Sequence, residues 1–176
     1  MPRSTVSATT LGVIRAELVN GEPAIRAQAI EALAVLGDAR GLITALGSSD
    51  AYVRRTAVKG LAGQPGVFVT WRLGRLRLDP DQDVRCAVAE ALARRTSRLA
   101  LGALRRIIGT DPSVQVRLLA VMRLAQMDVP VVDDVLRMVM TQDREVQLRA
   151  MARTLLRRRE ARRTQNAGRA RPKMGE

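Results

Sequence analysis

Residues 81–92 read DQDVRCAVAEAL, and this stretch decides the fold. It joins an acidic turn to an apolar residue, an arginine and a helix rich in Ala and Leu. Similar stretches are PAIRAQAIEAL (23–33), DAYVRRTAVKGL (50–61), DPSVQVRLLAVMRL (111–124) and DREVQLRAMARTL (143–155). Their matching arginines are Arg26, Arg54, Arg85, Arg117 and Arg149, spaced 28, 31, 32 and 32 residues apart. A near-constant period of this size indicates a protein built from stacked repeats.

The apolar positions around each repeat arginine predict one buried helix face. The residue before the arginine is Ile25, Val53, Val84, Val116 or Leu148. Three positions after it comes Ala29, Ala57, Val88, Ala120 or Ala152, and seven after it comes Leu33, Leu61, Leu92, Leu124 or Leu156. Positions −1, +3 and +7 lie on one side of a 3.6-residue helix. The small residue at +3 predicts close approach of a neighbouring helix.

A second set of apolar segments lies between these helices, at 11–19, 41–46, 67–78, 98–108 and 131–140. Gly, Pro, Asp and Ser separate the segments, as expected for capped helices and turns. The chain therefore predicts an all-α, right-handed α-solenoid of about five helix pairs, because one pair cannot bury its own apolar face. The expected divisions are a flexible N-terminus (1–8), the solenoid (9–158) and an Arg-rich, disordered tail (159–176).

The segment LGDARGLITAL (36–46) and the pattern D-x-x-V-R-x-x-A-x-x-x-L resemble the short HEAT-like repeats of bacterial proteins, of the type associated with phycobilisome lyases. That family includes scaffolds, chromophore lyases and alkylpurine DNA glycosylases, so the resemblance implies a fold more strongly than a function. It also implies a structural role for the repeat arginines, paired with turn aspartates. The candidate aspartates are Asp50, Asp83, Asp111 and Asp143.

The composition disfavours most enzyme classes and predicts no catalytic residue, metal or cofactor. The chain has no histidine and one cysteine, Cys86, so a Ser-His-Asp or Cys-His site cannot form within it. Asp79, Asp81, Asp83 and Glu90 match calcium-loop positions 1, 3, 5 and 12, but Val84 replaces the required glycine. The N-terminal residues lack the apolar core of a signal peptide, and no apolar stretch is long enough to span a membrane. A cytoplasmic protein is expected.

The charge predicts an anionic partner. The formal charge is +13 and the sequence pI is about 11.6. Residues 157–176 carry eight cations against two acids, and residues 72–106 carry nine against four. The candidate anion- or nucleic-acid-binding residues are Arg94, Arg95, Arg98, Arg105, Arg106, Arg157, Arg158, Arg159, Arg162 and Arg163. A solvated cap with cations at helix C-termini explains the same pattern.

A third candidate surface is apolar. Repeats one to three carry polar residues on the outward side of the second helix, whereas repeats four and five carry Leu118, Leu119, Met122 and Met151 there. Met-rich patches accept partner helices, or a second copy of the chain as a homo-oligomer. The leading prediction is a non-catalytic scaffold that binds a protein partner on its concave face. The alternative is a nucleic-acid-associated protein without base specificity, because aromatics interleaved with the arginines are lacking.

Overall fold

The structure is a computed structural model that describes residues 7–169. Within those residues the chain forms ten α-helices. Their bounds are α1 Ala8–Asn20, α2 Pro23–Leu36, α3 Ala39–Ala45, α4 Ala51–Leu61, α5 Val67–Arg75, α6 Gln82–Ala93, α7 Arg98–Thr110, α8 Val114–Ala125, α9 Val131–Gln142 and α10 Val146–Arg169. A short 3-10 turn, Leu76–Leu78, follows α5. The helices form five consecutive pairs, which confirms the predicted all-α solenoid.

The second helices of the first four pairs pack side by side in the order α2, α4, α6, α8. The first helices form a looser row, in which α5 and α7 are neighbours while α7 and α9 meet only briefly. The core lies between the two rows. The second helices are therefore packed more closely against one another than the first helices are.

The repeat positions predicted to be buried form the core. Every residue at +3 and +7 is buried, from Ala29 and Leu33 in α2 to Ala152 and Leu156 in α10. The residue at −1 is also buried in four repeats, but Ile25 is 42% exposed. Ile25 lies in α2, which belongs to the first helix pair of the described residues.

Side-chain caps fix where several helices begin. Asp38, Asp50, Asp81, Ser97 and Ser113 each accept a hydrogen bond from a backbone N–H in the first turn of α3, α4, α6, α7 and α8, respectively. These contacts satisfy donors that have no partner inside the helix. Gly37 ends α2 with φ of +67°, a conformation that favours glycine. The turns therefore set the helix boundaries that the sequence predicts to within a few residues.

The last helix extends further than predicted. Residues 159–169, expected to belong to a disordered tail, continue α10, while residues 170–176 lie outside the described part. Arg, Ala, Gln and Glu favour helix, and Arg159 and Arg163 both bond to Asp133 of α9. At the other end α1 already begins at Ala8, with Ser7 as its cap. In residues 7–169 no helix is both long and apolar enough to cross a membrane.

Candidate functional site

Three of the repeat arginines, Arg54, Arg85 and Arg117, form a ladder of buried ion pairs that joins successive repeats. Each of these guanidinium groups reaches forward to an aspartate before the next second helix and back to carbonyls of its own turn. The forward pairs are Arg54–Asp79 at 2.8 Å, Arg85–Asp111 at 2.9 Å and Arg117–Asp143 at 3.0 Å. Each Arg Nη1 also donates to carbonyls five and six residues earlier. Because each guanidinium already donates to a carboxylate and to backbone carbonyls, these three arginines have no free pair of N–H groups with which to bind a ligand.

Two of the four predicted aspartate partners are wrong. Asp50 caps α4, and Asp83 pairs with the surface Arg55. The partner of Arg54 is Asp79, which lies six residues before Arg85. The common rule is therefore that the arginine of one repeat binds the residue six positions before the arginine of the next. This residue starts the turn that leads to the second helix, so it faces the preceding repeat.

Both ends of the ladder lack a forward partner. The residue six positions before Arg54 is Ser48, where the later repeats have an aspartate. Arg26 donates to the Gly21 carbonyl at 3.3 Å instead. The Nε of Arg26 is buried without a hydrogen-bond partner. At the other end Arg149 donates back to carbonyls of Asp143 and Arg144. Among the junctions between described repeats, only the first, between repeats one and two, has an arginine without a carboxylate partner.

Polar pairs connect the second helices along their outward side. Tyr52 of α4 donates to Glu31 of α2. Further along lie Arg55–Asp83 at 3.1 Å, Gln82–Gln115 at 2.6 Å and Arg123–Glu90 at 2.7 Å. These contacts link α2, α4, α6 and α8 in sequence. The outward surface of α2, α4 and α6 is therefore polar and internally bonded, and its last pairs reach α8.

The predicted apolar patch follows where this polar surface ends. Leu118 and Met122 of α8 are exposed, at 36% and 46%, and Leu119 is half-buried between them. Met151 of α10 is half-buried against the core. The helix α10 packs mainly on α9 and meets α8 at few positions, unlike the close α6–α8 contact. The wider spacing between α8 and α10 leaves the side chains of α8 uncovered.

Arg159 has a structural position, contrary to its prediction as an anion-binding residue. Its guanidinium donates to Asp133 at 2.8 Å and to the carbonyls of Ala125, Met127 and Val129. Burial raises the pKa of Asp133, but the hydrogen bonds and charges of Arg159 and Arg163 outweigh it, so the pKa lies below its ordinary value. Arg159 therefore fastens α10 to the end of α8 and to α9.

Arg95 has a similar position at the end of α4. It is half-buried and donates to the Leu61 carbonyl at 2.7 Å, and burial lowers its pKa. The side chain of Gln64 at the matching place donates to Gly37 at the end of α2. The residue ten positions after a repeat arginine thus bonds to the end of the preceding second helix in repeats two, three and five. Such contacts satisfy carbonyls left free at a helix C-terminus.

The remaining predicted arginines are exposed but do not form one surface. Arg157, Arg158 and Arg162 lie along α10, and Arg163 shares Asp133 with Arg159. Arg94 borders a cavity of about 430 Å³ between α6 and α8. An adjacent cavity of about 280 Å³ includes Arg162 and Arg163, and both cavities share Asp128. Arg98, Arg105 and Arg106 belong to α7 in the other row of helices.

Sequence reasoning missed an exposed aromatic pair beside the α7 arginines. Phe68 and Trp71 of α5 stack with ring centroids 5.9 Å apart, and Arg75 lies over the Trp71 ring at 5.3 Å. The signal available in the sequence was the spacing of Phe68, Trp71 and Arg75 at i, i+3 and i+7, which puts them on one helix face. That face borders a groove between α5 and α7 and is only partly covered.

Cys86 does not have the environment of a reactive thiol. It is partly buried against the core beside Arg85, and burial raises its pKa. A raised pKa lowers the thiolate fraction at neutral pH, and the thiolate is the nucleophile. Its position therefore agrees with packing rather than with covalent chemistry.

Ten helices in stacked pairs, joined by arginine–aspartate contacts between repeats, define an α-solenoid repeat protein. The family model for HEAT repeats matches residues 69–157, just over half of the chain. The chain therefore belongs to the HEAT-repeat family. The comparison with curated proteins finds no matching relative.

Among solved structures, the chain is similar to a chain of the complex of CpcE and CpcF of phycocyanin lyase from Nostoc sp. PCC7120. The TM-score is 0.59 at 20% identity, over 85% of this chain and 99% of the other. At this identity the likeness concerns the fold. It agrees with the expected resemblance to HEAT-like repeats of the lyase type.

Proposed function

We propose that the protein is a non-catalytic scaffold that binds an apolar helix of a protein partner at the α8–α10 end of its second-helix row. The proposal rests on the change from polar to apolar side chains along this row. Polar pairs bridge α2 to α8, and then Leu118 and Met122 lie exposed while Leu119 and Met151 are half-buried. We refer to these four residues as the apolar patch.

The chemistry of the patch favours a helical partner. Leu118, Leu119 and Met122 are spaced as one side of a helix, and α10 meets α8 at few positions, which leaves this side of α8 open. Amphipathic helices bind apolar surfaces of this kind through anchors one turn apart, and Met adapts to irregular surfaces. Arg153 and Arg157 of α10 are exposed. Acidic residues beside the partner's apolar stripe would complement them.

The comparisons and the side-chain inventory support a binding role. HEAT repeats offer long surfaces for other macromolecules, and the similar solved structure is a complex of two proteins. The absence of histidine from the sequence and the raised pKa of Cys86 disfavour acyl transfer.

The patch can be tested by the double variant Leu119→Glu and Met122→Glu. The matched control is Thr56→Glu with Lys59→Glu, which changes the same two repeat positions in α4. A photo-cross-linking amino acid at Leu118, and at the equivalent Arg55 as its control, would identify the protein that contacts each site in cells.

We expect one partner to cross-link from Leu118 and not from Arg55. The purified pair should associate with the wild type and the control variant, and at least tenfold more weakly with the patch variant. Circular dichroism should show the same helicity for all three proteins, because the substituted side chains lie outside the buried core. Equal association of the patch variant with the cross-linked partner would remove this proposal.

A second candidate function is the binding of nucleic acid without base specificity. The observation that favours it is the exposure of arginines on α7 and α10, notably Arg98, Arg106 and Arg162. Such contacts give salt-dependent affinity through release of counterions from phosphates.

A further inference from the structure

The exposed aromatic pair on α5 is not part of the hydrophobic core. Phe68 is 58% exposed and Trp71 is 43% exposed, and neither belongs to the buried cluster. Phe68 and Trp71 are two of the three aromatic residues in the sequence. Their planes differ by 26° and their centroids lie 5.9 Å apart, so the two rings form an offset stack along one side of α5, which we call the aromatic platform. A large part of each ring is therefore accessible to a ligand.

Arginines border the same platform. A groove of about 330 Å³ lies between α5 and α7, and Trp71, Arg75, Arg98 and Arg106 line it. Arg77, from the 3-10 turn, also borders the groove. Among the described residues, none that lines the groove is acidic. The positive charge here is therefore not neutralised by a neighbouring carboxylate.

The floor of the groove is made of small residues. Gly74 of α5 faces Ala103 of α7, where an added Cβ would come within 3.5 Å of the Ala103 Cβ. Gly102 has open space on its exposed side. The groove has the volume of a small ligand site, at the lower end of the roughly 300–1,000 Å³ usual for such sites. A planar group of nucleotide size can therefore approach the helix backbones.

We propose that this groove binds a single strand of nucleic acid, with a base stacked on the Trp71–Phe68 platform and the phosphates near Arg98 and Arg106. Stacking uses the face of a base, which a duplex covers, so single strands should bind better than duplexes. An acidic peptide would satisfy the arginines but would not use the aromatic platform. Nothing in the groove distinguishes ribose from deoxyribose, so the proposal covers both sugars.

This inference rests on the second candidate function and names its site. It is independent of the proposed protein partner, because the groove lies on the first helices and the apolar patch lies on the second helices. It also differs from the expectation of a basic tail, since α5 and α7 belong to the middle of the solenoid.

Trp71 provides a local reporter because it is the only tryptophan. The experiment titrates the full chain with unlabelled oligothymidine and oligouridine while tryptophan fluorescence is recorded. Free N-acetyltryptophanamide corrects for absorption by the strands. Anisotropy of a labelled oligothymidine measures total binding in parallel, with a duplex as competitor. We expect quenching by both strands, with the same midpoint as the anisotropy, and weak competition by the duplex.

Variants separate stacking from charge. Trp71→Leu keeps an apolar side chain but removes the ring, and should weaken binding by about 5- to 150-fold, the range for loss of one stacked base. Arg106→Gln should reduce the salt dependence of binding by about 0.7 in the log–log slope, as for one phosphate contact. Arg105→Gln is the matched control, because Arg105 is exposed on the same helix but does not line the groove.

Four results would overturn the site. Binding detected by anisotropy without a change in Trp71 fluorescence would place the strand elsewhere, while the nucleic-acid function would stand. Equal binding by Trp71→Leu, or equal losses in Arg105→Gln and Arg106→Gln, would also reject the groove. No binding of either strand at low ionic strength would reject both the site and the second candidate function.

Discussion

Ser48 interrupts the ladder of arginine–aspartate pairs, because it stands where the later junctions have an aspartate. At the later junctions Asp79, Asp111 and Asp143 use one carboxylate oxygen to accept a backbone N–H two residues ahead, while the carboxylate also binds the arginine. Ser48 keeps the first contact, since its hydroxyl oxygen accepts the N–H of Asp50 at 3.2 Å. It lacks the second oxygen and the negative charge. The Nε of Arg26 therefore has no acceptor.

The substitution Ser48→Asp should stabilise the protein. The carboxylate can keep the turn contact with Asp50 and accept the guanidinium of Arg26, as Asp79 does for Arg54. A hydrogen bond to a charged group contributes about 1.5–3 kcal/mol, which corresponds to a rise in Tm of roughly 3–12 °C at this chain length. Thermal melts followed by circular dichroism would measure the change.

Ser49→Asp is the control for added charge, because Ser49 is an exposed neighbour in the same turn. It should change Tm by no more than about 1–2 °C, as surface substitutions usually do. An equal rise in both variants would indicate a general effect of the negative charge on this basic protein. No rise in Ser48→Asp would contradict the interpretation of the ladder.

At the scale of the helix pair, the buried carboxylates make the junctions sensitive to acid. Burial raises the pKa of Asp143, but hydrogen bonds from Arg117 and the Glu145 N–H outweigh it, and the pKa lies below its ordinary value. Asp38 shows the same direction, with its pKa lowered chiefly by the hydrogen bond from Arg15. A lowered folded-state pKa means that the contribution to stability is present above the unfolded pKa of about 3.9. It is lost as the pH falls through the folded-state pKa.

Asp143→Asn should test this linkage. At neutral pH the variant should unfold at a Tm lower by roughly 3–12 °C, because it loses a charged partner of Arg117. Below pH ~4 the difference from the wild type should shrink, since protonation removes the same charge from the wild type. Thermal melts at a series of pH values would record both effects. Asp134→Asn, at an exposed surface pair, should follow the wild-type curve, and a constant Tm difference at every pH would contradict the assignment.

The helix pairs were predictable from the sequence because local signals specify them. The five arginines fix the register, and the −1, +3 and +7 positions fix which side of each second helix is buried. The partner of Arg54 was not predictable in the same way, because it depends on the spatial rise from one repeat to the next. Asp83 belongs to the helix, and Asp79 lies at the start of the turn that faces Arg54. Exposure of Trp71 also depends on packing between repeats, because the ring borders the groove between α5 and α7.

At the scale of the whole molecule, the two ends of the described solenoid differ in the side chains that they present. The first pair leaves Val13, Val19, Ile25 and Val35 exposed. The last pair uses charge, since Arg159 bonds to Asp133 and to the carbonyls between α8 and α9. The predicted disorder of residues 159–169 was wrong because this contact between separate helices has no local sequence signature. The basic end of α10 is therefore partly a structural cap.

Arg159→Ala should loosen this cap without affecting distant repeats. The change removes a charged partner of the buried Asp133 and frees the carbonyls of Ala125 and Met127 from their bonds to the guanidinium. In a solenoid each repeat contacts its neighbours alone, so the effect should stay near the end. Hydrogen exchange measured by mass spectrometry should become faster in α9, α10 and the end of α8.

The same measurement should show unchanged exchange in α1 to α4. Arg158→Ala is the matched control, because Arg158 is the preceding residue and is exposed; it should leave exchange unchanged throughout. Faster exchange across all repeats in Arg159→Ala would show that the chain unfolds as one cooperative unit, and that the ladder couples even its distant ends. Exchange confined to the last two pairs would mean that α10 opens locally, which would expose more of the gap beside Leu118 and Met122. The charged cap would then control how much of the apolar patch a partner can reach.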